Sequence, residues 1–203
     1  IGDGSDHPLS ERFTSLAEAQ AVFPFVTSLS EQIDESAFTL GLSTADVIIA
    51  PPGTFRLYNG LLWQSNKSLI GPAVFQPASD AVATAMFRAN NITNWTVDGP
   101  TFDAGSAMAT SVRIWGGSSD FILKDVIVTG AADVGVNLAG ATDGLFNHVQ
   151  ATGNGDGGTS DANWWIIGTD LKFIDCDGSN GDGNGWRILG DSTTSARNRF
   201  INC

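Results

Sequence analysis

Residues 173–176, FIDC, return 27 positions later as FINC at 200–203. A repeat of that length usually marks a unit of architecture, and more copies lie upstream. The segment 95–105 (WTVDGPTFDAG) aligns without a gap on 121–131 (FILKDVIVTGA), and 144–155, 171–181 and 199–203 continue the series. Val97, Leu123, Phe146, Phe173 and Phe200 then share one position, at intervals of 26, 23, 27 and 27. A second row lies between them at 112–117, 136–141, 164–169 and 186–191, each with alternating apolar residues followed by a small residue or Gly.

A period of about 22 to 28 residues with short strands and no helix predicts a parallel β-solenoid. The Leu/Asn consensus of leucine-rich repeats is absent, and propeller blades need about 40 residues or more. Successive coils would lie about 4.8 Å apart, so equivalent residues pile into ladders. Val149, Cys176 and Cys203 should form one interior ladder, with the two cysteines as stacked buried thiols.

The chain's start reads differently. Residues 15–23 and 28–42 predict helices, each opened by a capping box, Ser15 with Glu18 and Ser28 with Glu31. Leu29, Ile33, Ala37 and Leu40 lie on one stripe of the second. A solenoid needs a cap where its first coil would expose apolar surface, and these helices suit that role. Residues 46–60 predict a buried strand, a Pro-Pro-Gly turn and another strand. The expected division is a capping segment at 1–45 and a solenoid at 46–203.

The net charge of −12 argues against sequence-independent binding to nucleic acid, because phosphate contacts need Lys and Arg. It fits a soluble extracellular surface. No apolar run approaches the roughly 18 residues of a membrane span. The chain opens on Ile1 without a visible signal peptide and stops at Cys203 in mid-strand. It is therefore expected to be trimmed, and to continue or be covered by a partner at that end.

The opening Gly2-Asp3-Gly4, the IDESAF helix at 33–38 and Pro51-Pro52-Gly53-Thr54-Phe55 resemble the N-terminal part of pectate-lyase-superfamily β-helix proteins. These include bacteriophage tail spikes and polysaccharide depolymerases. The resemblance implies an all-β, right-handed parallel β-helix of about five or six coils with N-terminal capping helices. The Asn-Thr-Asp, Asp-Asp and Gly-His-Gly set of the polygalacturonase branch is absent, which counts against that hydrolase.

Three constellations could carry chemistry. Asp125, His148, Asp175 and Asn202 occupy one column, placing an imidazole between two carboxylates, an arrangement suited to general acid–base work. The competing reading is a polar ladder that satisfies surface hydrogen bonds. Arg113, Asn137, Trp165 and Arg187 form an outward column. Arginine grips sugar carboxylates through paired hydrogen bonds, and an exposed indole offers a face to a sugar ring. The competing reading is that Trp165 packs against a loop or a neighbouring subunit and the arginines pair with local aspartates. The loops 153–163 and 178–185 bring Asp156, Asp161, Asp177 and Asp182 to adjacent corners. Two such carboxylates could attack a glycosidic bond, or the set could hold Ca²⁺, although neither loop has the EF-hand pattern. Turn chemistry alone also explains these loops.

The functional expectation is a tail-spike-like or receptor-binding protein, on a virion tail or secreted, that recognises and can depolymerise a bacterial surface polysaccharide. Its partners would be polysaccharide and two further copies of itself in a homotrimer, or the rest of a larger chain. The alternatives are a free bacterial polysaccharide lyase, hydrolase or epimerase, and a non-catalytic shaft.

Overall fold

The computed structural model describes residues 2–158, 161–190 and 195–203. From Val47 onward the chain winds into a parallel β-solenoid whose strands fall in three sheets. Sheet one stacks Val47–Ile49, Ser68–Ile70, Thr93–Asp98, Ser119–Lys124, Gly144–Asn147, Lys172–Ile174 and Arg199–Ile201. Sheet two stacks Gly53–Leu57, Ala73–Pro77, Thr101–Asp103, Ile127–Thr129 and Gln150–Ala151. Sheet three stacks Leu61–Leu62, Ala85–Asn90, Thr110–Trp115, Val134–Thr142, Ala162–Thr169 and Asn184–Ile188.

The repeat is the coil. Val97, Leu123, Phe146, Phe173 and Phe200 are direct partners on successive strands of sheet one. Their row extends back through Leu69 to Ile48. Val112, Val136, Trp164 and Trp186 form the matching inward row of sheet three. Sheet two supplies Phe55, Phe75, Phe102, Val128 and Ala151.

These rows fuse into an aromatic interior. Phe146, Phe173 and Phe200 stack at 4.8 and 4.7 Å, and Trp164 lies parallel to Trp186 at 4.8 Å. The two stacks meet edge to face, with Trp164 perpendicular to Phe173 at 5.5 Å. Each such pair contributes about 0.5–1.5 kcal/mol beyond its buried area. Gly144 follows Trp95 and Phe121 in register because the Phe121 ring occupies its side-chain space. A Cβ at Gly144 would lie 2.2 Å from that ring.

The cap departs from its sequence pattern. Helix α1 spans Leu16–Val22, with Ser15 Oγ accepting from the Glu18 amide at 3.3 Å. Helix α2 spans Ile33–Thr44 and does not begin at Ser28. Glu31 accepts from the Thr27 and Ser28 amides at 2.7 and 3.1 Å, so its carboxylate closes a turn ahead of the helix. Ala37 is exposed, whereas Asp34, Glu35 and Ser36 are buried. The reason is that α2 lies across the first coil and its acids serve backbone donors there. Asp34 accepts from the Gly2 amide at 3.2 Å, and Glu35 accepts from Tyr58 and Asn59. Further along, Phe38 meets Phe55 and Phe75 edge-on at 5.3 and 5.1 Å, and Leu42 is buried in the same core.

Two other expectations need correction. The strand Val47–Ile49 is not buried throughout: Ile48 points inward, while Val47 and Ile49 face out from sheet one. Cys176 is buried below Phe146 and Ile174 carbonyls, but Cys203 is exposed because its coil has no described neighbour above it. Both thiols are free, and burial pushes that of Cys176 up to about 12.

Candidate functional site

The corner between sheets one and two is a left-handed turn repeated coil after coil. Asp125, His148, Asp175 and Asn202 occupy it with φ of 52°, 53°, 49° and 54°. Asp and Asn tolerate that conformation better than most residues, and His is also enriched there. Stacked at coil spacing, the side chains join into a ladder. His148 Nδ1 lies 3.3 Å from Asp125 and its Nε2 lies 3.3 Å from Asp175. Asn202 donates to Asp175 at 3.0 Å, and Lys124 bridges Asp98 and Asp125 at 3.2 and 3.1 Å. The predicted column is present and exposed. Asn202 and Lys124 donate to carboxylates within it, and the imidazole lies between those two carboxylates.

The two Asp-rich loops connect sheet two to sheet three. Two of their four carboxylates, Asp161 and Asp177, are held by their own loops. Asp161 is buried and accepts from the Asp156 and Gly158 amides, so it pins its own loop. Asp177 accepts from the Ser179 amide at 2.8 Å and its hydroxyl at 3.0 Å, closing a turn. Asp156 and Asp182 are exposed. Thr159 and Ser160 of the first loop lie outside the described residues, as does Asp191 of the last row segment. Among the described residues no three Asp, Glu, His or Cys side chains are placed to hold a metal ion, so Ca²⁺ gains no support from this geometry.

Buried asparagines, which the sequence reading passed over, organise these loops. Asn154 Oδ1 accepts from the Ala131 amide at 3.0 Å, and Nδ2 donates to the Val128 and Thr152 carbonyls and to Asn163 Oδ1. Asn163 in turn donates to the Gly178 and Ser179 carbonyls, each at 2.9 Å. Gly135 lies beside them because a Cβ there would stand 2.5 Å from Asn154 Nδ2.

Sheet three carries the remaining constellation on its outer face. Arg113, Asn137, Trp165 and Arg187 are direct partners in register, and the column continues back through Arg88 to Leu62. The next outward column holds Asn90, Trp115, Ala139 and Ile167. Neither column contains an acidic residue, in a chain of net charge −12. Arg113 lies over the Trp115 ring at 4.9 Å, and Arg187 lies over Trp165 at 4.3 Å. Nε of Arg88, Nε of Arg113 and Oδ1 of Asn137 are buried without a partner. The surface is therefore a strip on which guanidinium and indole planes stack, Arg113 on Trp115 and Arg187 on Trp165. The His148 ladder sits at the opposite corner, between the other two sheets, so the two sequence candidates do not share a ligand.

No protein-family model matches the chain, and no curated protein matches it. The solved structures do provide a match. The fold is similar to that of a phage tailspike. The tailspike protein gp49 from Pseudomonas phage LKA1 superposes over 100% of this chain and 50% of its own, with a TM-score of 0.69 at 17% identity. The tailspike gp61 of Pseudomonas phage phi297 covers 89% of this chain and 57% of its own, at 15% identity and a TM-score of 0.49. The chain thus spans about half the length of these tailspikes. At such identity the likeness to gp49 establishes a shared solenoid fold, and any site must be argued from this chain's own residues.

Proposed function

We propose that this chain is the solenoid part of a tailspike-like protein and that the outer face of sheet three binds an anionic bacterial surface polysaccharide. The observation that carries the reading is the acid-free column Arg88, Arg113, Asn137, Trp165 and Arg187 on an otherwise acidic molecule. Guanidinium groups stand about 4.8 Å apart on the adjacent coils of Arg88 and Arg113, and one returns three coils on at Arg187. They suit the carboxylates of an extended acidic glycan, while Trp115 and Trp165 offer faces for sugar rings. On the likeness in fold to a tailspike we also propose a place on a virion tail, and the proposal extends to membership of the pectate-lyase superfamily and a homotrimer. Asp156 and Asp182, exposed on the loops that lead into sheet three, are the carboxylates we assign to cleavage of the bound chain.

The test is binding of polygalacturonate against neutral dextran by the wild type, Arg113→Gln and Trp165→Ala. Retention of the acidic polymer alone, weakened at least tenfold by either substitution, is the expected result. Equal affinity for both polymers, or full affinity in both variants, would remove the reading. Release of reducing ends or of unsaturated uronate, lost in Asp156→Ala and Asp182→Ala, checks the cleavage assignment.

A further inference from the structure

At the head of the sheet-three column, where the cap meets the first coils, the structure holds a cleft of about 420 Å³. Its floor carries Glu35 from α2 and Arg88 from the strand Ala85–Asn90, and Glu31 and Gln64 line its sides. Phe25 and Leu62 form its lips, each 57% exposed. This volume falls within the range of small-molecule sites, which combine apolar walls with a few convergent polar groups.

The polar groups differ in what they have left to give. Glu31 is occupied by Thr27 and Ser28. Glu35 receives the Tyr58 and Asn59 amides on one oxygen, Oε2. Arg88 donates from Nη2 to the Asn59 carbonyl at 2.8 Å, and its Nε has no partner. No carboxylate lies within ion-pair distance of Arg88 among the described residues. Because Nε is buried, contact with a ligand falls to the Nη groups of the planar guanidinium, a group suited to a two-point grip on a carboxylate. Burial pushes the Glu35 carboxyl up to about 7, with Glu31 adding to the effect, so near neutral pH it can offer an O–H beside that grip.

We propose that this cap cleft is a terminal subsite that receives a single sugar-acid unit, its carboxylate on Arg88 and its hydroxyls on Glu35 and Gln64. The assignment rests on the groove reading for the sugar class of the ligand, and its anion selectivity rests on Arg88 alone. It gives the sheet-three surface a closed end, because α2 and Phe25 stand where a further coil would otherwise continue the column.

The probe is galacturonate monosaccharide, titrated into the full chain and followed by saturation-transfer NMR, with galactose and inorganic phosphate as parallel ligands. Galacturonate should bind at millimolar concentration and galactose at least tenfold more weakly. Arg88→Gln should weaken galacturonate at least tenfold, and Arg88→Lys, which keeps the charge without the fork, at least threefold. Glu35→Gln should retain binding through its amide donor. Lys172→Gln, on the outer face of sheet one, should change nothing. Unchanged galacturonate affinity in both Arg88 variants overturns the subsite, as does equal affinity for galactose. Phosphate binding without galacturonate binding overturns the sugar-acid assignment. The groove is judged separately. If Trp165→Ala loses polygalacturonate while Arg88→Gln leaves galacturonate unmoved, the cleft fails and the groove stands; the reverse pair keeps the cleft and removes the groove.

Discussion

Glu35 shows how one residue's surroundings set a property that its neighbours in sequence do not reveal. Its carboxyl is needed as an acceptor for two amides of the bend after Gly53–Leu57, yet it is only 4% exposed. It titrates near 7 rather than 4.5, chiefly through burial. Between those values the native protein holds a proton that the unfolded chain has released. Stability should therefore fall as pH rises across that window, by about 3 kcal/mol at most, and level off above it. Chemical denaturation at pH 5 and pH 8 should show this loss in the wild type, and Glu35→Gln should flatten it. Asn154 is the second case. Its side chain bonds the Ala131 amide, two carbonyls and Asn163 from a fully buried position. Asn154→Ala should cost about 2–4 kcal/mol in a denaturant titration, because buried partners lose their bonds together. Neither role was legible in sequence. Asn154 and Asp161 sit in a stretch rich in Gly, Asn and Asp, where turn formers and buried bonding residues look alike.

At the scale of elements, the strand rows of sheets one and three were readable because their ladders repeat large apolar residues at coil spacing. Sheet two was only half readable. Its early members Phe55 and Phe75 precede the regular repeat, and its later members shrink to Val128 and Ala151. The helices were readable in kind but not in orientation. The apolar stripe of α2 suggested Ala37 as a buried position, whereas the first turn buries Asp34 against the Gly2 amide, Glu35 against amides of the first coil and Ser36 against the Gln32 carbonyl. Position within a ladder also sets the energetics. Phe173 is sandwiched between Phe146 and Phe200, while Phe200 is 40% exposed on the last coil. Phe173→Ala should cost about 3–5 kcal/mol, the usual cost of emptying a packed aromatic site. Phe200→Ala should cost about 1 kcal/mol, since half of its surroundings are already open. Equal losses in thermal unfolding would contradict the stacked register.

For the whole molecule, the telling feature is how charge is sorted among faces. The corner between sheets one and two stacks Asp125, His148 and Asp175 in one ladder, the imidazole 3.3 Å from each carboxylate. The loops between sheets two and three spend Asp161 and Asp177 on their own backbones. Among the described residues, the outer face of sheet three sets arginines and indoles in register in columns that contain no acidic residue. The column Arg113, Asn137, Trp165 and Arg187 could be found from sequence because it follows directly from the inward row beside it. Its extension to Arg88 and the cap cleft could not, since Arg88 gains its place from a strand that precedes the aligned repeats. The central claim is that this face, and neither of the others, meets the polysaccharide. Hydroxyl-radical footprinting with a bound acidic polysaccharide tests it directly. Trp115 and Trp165 should lose reactivity while Ile122 on sheet one and Ile127 on sheet two keep theirs. Protection of those isoleucines with both tryptophans left reactive would contradict the account.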